Sequence, residues 1–151
     1  MKKNLTLTGM MGVGKSTIGK ALSRRLLMRF SDIDKLVEEK LNMSIQQIFE
    51  EKGEYFFRQF EEKITIMEVK KKNTIISLGG GAFMNSKIRK NIFLNSKSFW
   101  LDLDKRLIEK RLIKSRKRPL LNNKNLKKSL DKIYNDRKDT YASADYKINC
   151  D

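Results

Sequence analysis

Glycines, a lysine and two hydroxyls stand close together in Gly9-Met10-Met11-Gly12-Val13-Gly14-Lys15-Ser16-Thr17, at the spacing G-x-x-x-x-G-K-S. That combination suits a polyphosphate. The glycines let the backbone fold tightly around an anion, and a helix opening at the lysine adds its positive end. Lys15 would reach the β- and γ-phosphates, and the Ser16 hydroxyl would take a place on Mg²⁺. Gly12, Val13, Gly14 and Thr17 complete the nucleotide-binding turn. A second set of groups is acidic. In Phe30-Ser31-Asp32-Ile33-Asp34 a period of two sends Asp32 and Asp34 to the same side, past the end of a short strand. Two carboxylates facing a phosphate loop can hold Mg²⁺ through water and take a proton from an attacking hydroxyl. The plainer reading makes Asp34 the opening acid of a helix that buries Leu36 and Val37. A third set centres on Arg58, which lies among Tyr55, Phe56, Phe57 and Phe60 with Glu61 three residues on. A surface ion pair is one reading; a guanidinium held still to grip a substrate carboxylate is the other. Finally, Gly79-Gly80-Gly81 permits close backbone approach to a ligand, or only a turn.

The elements that must carry these groups follow from periodicity. Leu5 to Thr8 reads as a strand entering the glycine-rich turn, and Ile18, Leu22, Leu26 and Leu27 recur at helical spacing behind it. Ser44 and Gln47 have capping-box spacing ahead of an apolar face of Ile45, Ile48 and Phe49, and Gly53 ends or kinks that helix. The next helix carries the aromatics around Arg58, then Ile64 and Met67. Asn73 to Leu78 is a buried strand, Ser86 to Phe93 a helix, and Ser98 to Leu103 a strand whose Phe99 and Trp100 pack inward. A helix bearing Leu107, Ile108 and Leu112 follows. From Lys114 to Lys124 the periodicity stops around the only proline, and the segment reads as a mobile basic loop. Such a loop can close over a nucleotide and add an arginine to its phosphates. Leu126 to Arg137 forms a last helix with Leu130, Ile133 and Tyr134 on its stripe, and Asp145 to Ile148 a final strand. Strands alternating with helices predict an α/β domain around a mostly parallel sheet, a three-layer α/β/α nucleotide kinase.

Composition narrows the class. The 151 residues fit one domain, 1–151, with 39% hydrophobic and 34% charged residues. No apolar run approaches the ~20 residues a membrane-spanning helix needs, and no signal peptide is evident. One cysteine, Cys150, precludes an intrachain disulfide and fits a reducing cytoplasm. The absence of histidine excludes a histidine base and the usual histidine metal ligands. A net charge of +16 raises nucleic acid or an anionic membrane as a partner. Lysine is nevertheless spread along the chain and interleaved with acids, so a solvated surface that attracts anionic substrates is the better reading.

Taken in order, several motifs together resemble shikimate kinase, a small member of the nucleoside monophosphate kinase-like P-loop group. They are Gly9 to Thr17, Asp32-x-Asp34, Phe57-Arg58-Gln59-Phe60-Glu61, Ser77-Leu78-Gly79-Gly80-Gly81, Arg118-Pro119-Leu120-Leu121, and Arg137 four residues before Tyr141. The resemblance covers nearly the whole chain. It implies ATP-dependent phosphorylation of the 3-hydroxyl of shikimate in aromatic amino-acid biosynthesis, with Mg²⁺ as cofactor, by a cytoplasmic monomer. Lys15 and Ser16 then handle phosphates and metal, and Asp32 supports the metal through water. Asp34 holds the substrate hydroxyls and is the candidate base. Arg58 and Arg137 hold the carboxylate, and Gly80 and Gly81 offer backbone contacts. Substrate-binding helices span about 34–70; Arg118 arrives on the lid, about 114–124, and Arg111 packs against adenine. Two departures are visible. Tyr141-Ala142-Ser143-Ala144-Asp145 is one residue short of the family's spacing. The chain also ends at Asp151, where the family continues through an adenine-contacting turn and a closing helix, so nucleotide affinity and stability are the properties expected to suffer. The alternatives are a gluconate-type kinase on the same fold and a basic P-loop protein that binds nucleotide or RNA without turnover.

Overall fold

The computed structural model describes residues 3–115 and 125–151. Arg118 and nearly all of the expected lid lie outside the described residues. In chain order the elements are β1 (Asn4–Thr8), α1 (Lys15–Leu26), β2 (Arg29–Asp32), α2 (Ile33–Leu41), α3 (Ile45–Val69) and β3 (Thr74–Ser77). A short 3₁₀ turn (Ala82–Met84), α4 (Ser86–Asn95), β4 (Ser96–Asp102), α5 (Lys105–Ser115), α6 (Leu126–Tyr141) and β5 (Tyr146–Asn149) complete it.

The sheet runs β2-β3-β1-β4-β5, and every strand pairing is parallel. The expectation of a mostly parallel sheet is met without exception among the described residues. Thr74-Ile75-Ile76-Ser77 is buried throughout, as a strand covered on both faces must be. Ile75, Ile76, Leu7 and Leu101 form the centre of the core, with Ile33, Val37, Ile48, Phe83, Ile88 and Ile108 packed around the sheet. β1 lies between β3 and β4: the chain first fills one side of it with β2 and β3, then crosses from β3 to β4 on the other. Ligands sit in the crevice outside the strand ends at such a switch point.

Asn4 shows how a buried polar residue helps build this frame. Its amide nitrogen donates to the Val69 carbonyl at 2.8 Å, and its oxygen accepts from Thr74 N–H at 2.9 Å. The end of α3 and the start of β3 are thereby latched to β1. The capping box at Ser44 and Gln47 is present in full. At φ 86° and ψ 165° Gly53 leaves helical backbone, so α3 is two helical segments that meet at a kink there.

Some expectations shift. β2 stops at Asp32, whose side chain caps α2 by accepting from Lys35 N–H, so Asp34 stands in the first turn of that helix. The two acids are therefore placed by a strand-to-helix turn, not by strand alternation. Leu27 is not on the apolar face of α1: it is the left-handed C-cap, φ 55°, and 83% exposed. Ile18 and Leu107 also face outward, because α1 and α5 each cover the sheet with a narrower stripe than the leucine count suggested. The last helix continues four residues beyond Arg137, to Tyr141.

Candidate active site

The P-loop is pinned from below. Met10, Met11 and Val13, the apolar residues between its glycines, are buried and belong to the core. Gly14 is the left-handed N-cap of α1, φ 98°, from which the helix starts at Lys15. The Lys15 ammonium donates to the carbonyls of Gly9 and Met10, each at 2.8 Å, so the lysine is curled over its own loop. One residue on, the Ser16 hydroxyl donates to Asp32 Oδ2 at 2.6 Å, and Ser77 Oγ lies 3.4 Å away. Three oxygen-bearing side chains from α1, β2 and β3 thus converge beside the phosphate loop. These are the hard donors Mg²⁺ takes when it keeps waters and phosphates as its other ligands. Among the described residues no cluster of three or more acidic, histidine or cysteine side chains offers an all-protein cage. Arg111, on α5, donates to the Gly12 carbonyl at 3.0 Å and so stands at the rim of this cleft. The cleft holds about 540 Å³ and is lined by residues 11–18 with Asp32, Asp34, Gly80 and Arg111.

A second pocket opens beside it, lined by Asp34, Arg58, Glu61, Arg137, the three glycines and the apolar walls Met11, Ile45, Phe49 and Phe57. Arg58 is oriented by Glu61 Oε1 at 2.9 Å and, more loosely, by Glu54 at 3.6 Å, with its guanidinium over the Phe57 ring at 5.2 Å. The glycine turn is what makes room for it. A Cβ on Gly81 would stand 2.7 Å from both terminal nitrogens of Arg58. One on Gly79 would meet Asp34 Oδ1 at 2.7 Å and Glu61 Oε2 at 3.0 Å, and one on Gly80 would crowd Arg137 Nη1 at 3.3 Å. Four charged side chains therefore close on a stretch of bare backbone that is free to face a ligand.

The charges in this pocket are under tension. Glu61 is 1% exposed, and its Oε2 is buried without a hydrogen-bond partner. Burial pushes its carboxyl up to about 7, against the lowering charge and hydrogen bond of Arg58; Asp34 adds to the rise and Arg137 opposes it. Nη1 of Arg137 is likewise buried and unpartnered. A carboxylate ligand would supply the acceptor that this one nitrogen lacks.

The residues singled out from the sequence fall into these two clefts. Gly12, Val13, Gly14, Lys15, Ser16, Thr17, Asp32 and Arg111 line the first; Arg58, Gly81 and Arg137 line the second; Asp34 and Gly80 line both. Sequence reasoning missed four contributors. Ser77 reaches the Ser16–Asp32 pair because β3 lies beside β2 with Asp32 opposite Ser77, and strand order is invisible to local pattern. Ile45 and Phe49 read from periodicity only as a helix's apolar face, yet they wall the acceptor pocket. Tyr141 carries a contact described below; its spacing from Arg137 was the one signal of it.

Comparison with known proteins gives one consistent result. Residues 11–151 match the family model described as shikimate kinase. A shikimate kinase of Sulfurihydrogenibium sp. is 40% identical over 149 residues, 99% of this chain and 89% of that protein. A solved shikimate kinase from Acinetobacter baumannii in complex with shikimate superposes with a TM-score of 0.94 at 31% identity, covering 97% of this chain and 82% of the other. For the enzyme from Aquifex aeolicus the TM-score is 0.86 at 33% identity, over 98% of this chain and 87% of that one.

Proposed function

The chain belongs to the shikimate kinase family, and on that premise we propose that it transfers the γ-phosphoryl group of ATP to the 3-hydroxyl of shikimate, giving shikimate 3-phosphate and ADP. The observation that carries this reading is the shared border of the two clefts: Met11, Asp34 and Gly80 line both. A terminal phosphate in one and a hydroxyl in the other meet beside a single carboxylate.

The roles follow from that border. Backbone N–H groups from Gly12 to Thr17 hold the phosphates, and Lys15 offsets the negative charge that grows on the transferring group. Asp34 accepts a hydrogen bond from the attacking hydroxyl and takes its proton as the new O–P bond forms. The bond from the γ-phosphorus to the bridging oxygen breaks, and ADP leaves with the electron pair. Ser16 and Asp32 would hold Mg²⁺, which when bound neutralises charge across the β- and γ-phosphates. Arg58 and Arg137 grip the substrate carboxylate, and Gly80 and Gly81 present backbone to the ring; together they fix the line of attack. Arg111 packs on the adenine from the rim. Arg118, outside the described residues, is assigned to the phosphates by the resemblance alone.

The single cysteine supports a reducing, cytoplasmic setting. Among the described residues no helix is long and apolar enough to cross a membrane. Both clefts select small anionic ligands, which makes nucleic acid an unneeded partner for the charge of +16.

A coupled ADP-release assay with ATP, Mg²⁺ and a panel of shikimate, quinate, gluconate and nucleoside monophosphates tests the reading. Shikimate should dominate in kcat/KM. Preference for gluconate or a nucleotide would overturn the substrate assignment, and absence of turnover with every acceptor would overturn the activity itself.

A further inference from the structure

Tyr141 is the last residue of α6 and is fully buried, yet none of the roles above uses it. Its hydroxyl donates to the Gly80 carbonyl at 2.5 Å, a contact that spans 61 residues of chain. On the same helix, one turn earlier, Arg137 points its unpartnered Nη1 at the same stretch of backbone, 3.3 Å from where a Gly80 Cβ would stand. The tyrosine ring is stacked on Trp100 of β4, with centroids 5.9 Å apart and planes 28° from parallel. Trp100 is itself covered by the Lys147 ammonium at 4.6 Å. Burial raises the phenol's pKa above its ordinary value, so the group stays a hydrogen-bond donor at any working pH.

We propose that Tyr141 is a positioning residue for acceptor binding. It ties the glycine turn after β3 to the end of α6 and thereby fixes the spacing between the Gly80–Gly81 backbone and the Arg137 guanidinium. A glycine turn has no side chains to hold itself in place. Of the groups around it, Arg58 and Arg137 are charges that must stay available to ligand, whereas Tyr141 is neutral, rigid and braced from behind by Trp100. Its hydroxyl sets the height of the backbone that faces the substrate without touching the substrate.

The inference rests on the shikimate reading above, and its test separates the two. Tyr141→Phe keeps the ring and its stack on Trp100 while leaving the Gly80 carbonyl without its donor. It should raise KM for shikimate by about tenfold, with kcat falling less and KM for ATP staying within about twofold. Val69→Ala, in the core beside the start of β1 at the opposite end of the sheet, serves as the structural control; it should lower the melting temperature and leave KM for shikimate within about twofold. Combined with Arg137→Lys, Tyr141→Phe should add much less than its separate effect, because both act on one spacing. An unchanged KM for shikimate in Tyr141→Phe overturns the inference. So does a parallel rise in both KM values that tracks a lost melting temperature, as a general loosening would give. Failure of the unmodified enzyme to phosphorylate shikimate would instead sink the functional reading on which the inference stands.

Discussion

Lys15 and Asp34 are single residues on which the chemistry concentrates, and their surroundings say what substitution should do. Lys15 is 7% exposed and satisfied by two loop carbonyls, so its ammonium is already desolvated where a phosphate would receive it. A charge in such a place stabilises a transition state with little reorganisation. Lys15→Ala should lower kcat by about a hundredfold or more, measured at saturating ATP and shikimate. Near-normal kcat would show that the loop binds nucleotide without taking part in transfer. The two aspartates should separate by phenotype. Asp32 is bonded to Ser16 and caps α2, whereas Asp34 faces the second pocket. Asp34→Asn should cut kcat and shikimate affinity together and spare ATP affinity; Asp32→Asn should show as a higher Mg²⁺ requirement. Titrating each variant with Mg²⁺ and with shikimate checks this, and exchanged phenotypes would mean the two roles are reversed.

At the scale of elements, the turn from Gly79 to Gly81 matters because of what it lacks. Helices α2, α3 and α6 each deliver a charged side chain to it, and those side chains occupy the volume that Cβ atoms would take. Gly81→Ala puts a methyl group 2.7 Å from both terminal nitrogens of Arg58, closer than Cβ atoms approach such groups. Arg58 must then move off Glu61 or out of the pocket. The expected outcome is a ten- to hundredfold rise in KM for shikimate, since charge-assisted hydrogen bonds contribute about 1.5–3 kcal/mol each. ATP binding should be unaffected. Equal shikimate affinity, measured calorimetrically, would show that Arg58 is not held where the acceptor binds. The same elements show what a sequence discloses. The capping box at Ser44, the kink at Gly53 and the strand–glycine–helix passage into Lys15 were legible because each is a local rule written in adjacent residues. The meeting of Ser77 with Asp32 and of Tyr141 with Gly80 was not, since strand order and helix docking bring together residues 45 and 61 positions apart. Arg58 was legible from Glu61 three residues on and the aromatics around it, whereas Arg137 was found only through a resemblance to known motifs. Periodicity alone placed them on separate helices and gave no reason for them to share a pocket.

For the whole molecule, the cost of assembling that pocket should be visible as a dependence of stability on pH. Thirty-four basic residues against eighteen acidic ones leave the chain strongly cationic at neutral pH, so most of its carboxylates lie in a favourable field. Glu61 departs from that pattern. Burial is the largest influence on it and raises its carboxyl to about 7, only partly countered by Arg58. The folded protein therefore binds this proton more tightly than the unfolded chain, whose glutamates titrate near their ordinary value. Its contribution to stability is fully present below the unfolded pKa and is lost as pH rises through about 7, the reverse of an ordinary salt-bridged acid. A shift of this size corresponds to about 3 kcal/mol across the window. Chemical denaturation at intervals from about pH 5 to pH 8 should show the wild type losing stability over that range. Glu61→Gln resembles the protonated acid and cannot ionise, so its stability should be flatter; the two proteins should run close together at the acid end and differ most at the alkaline end. The substitution also weakens the hold on Arg58, so KM for shikimate should rise even where stability is unchanged. Parallel pH profiles for the two proteins would show that Glu61 is not the group responsible, and that Arg58 and Arg137 keep it ionised throughout.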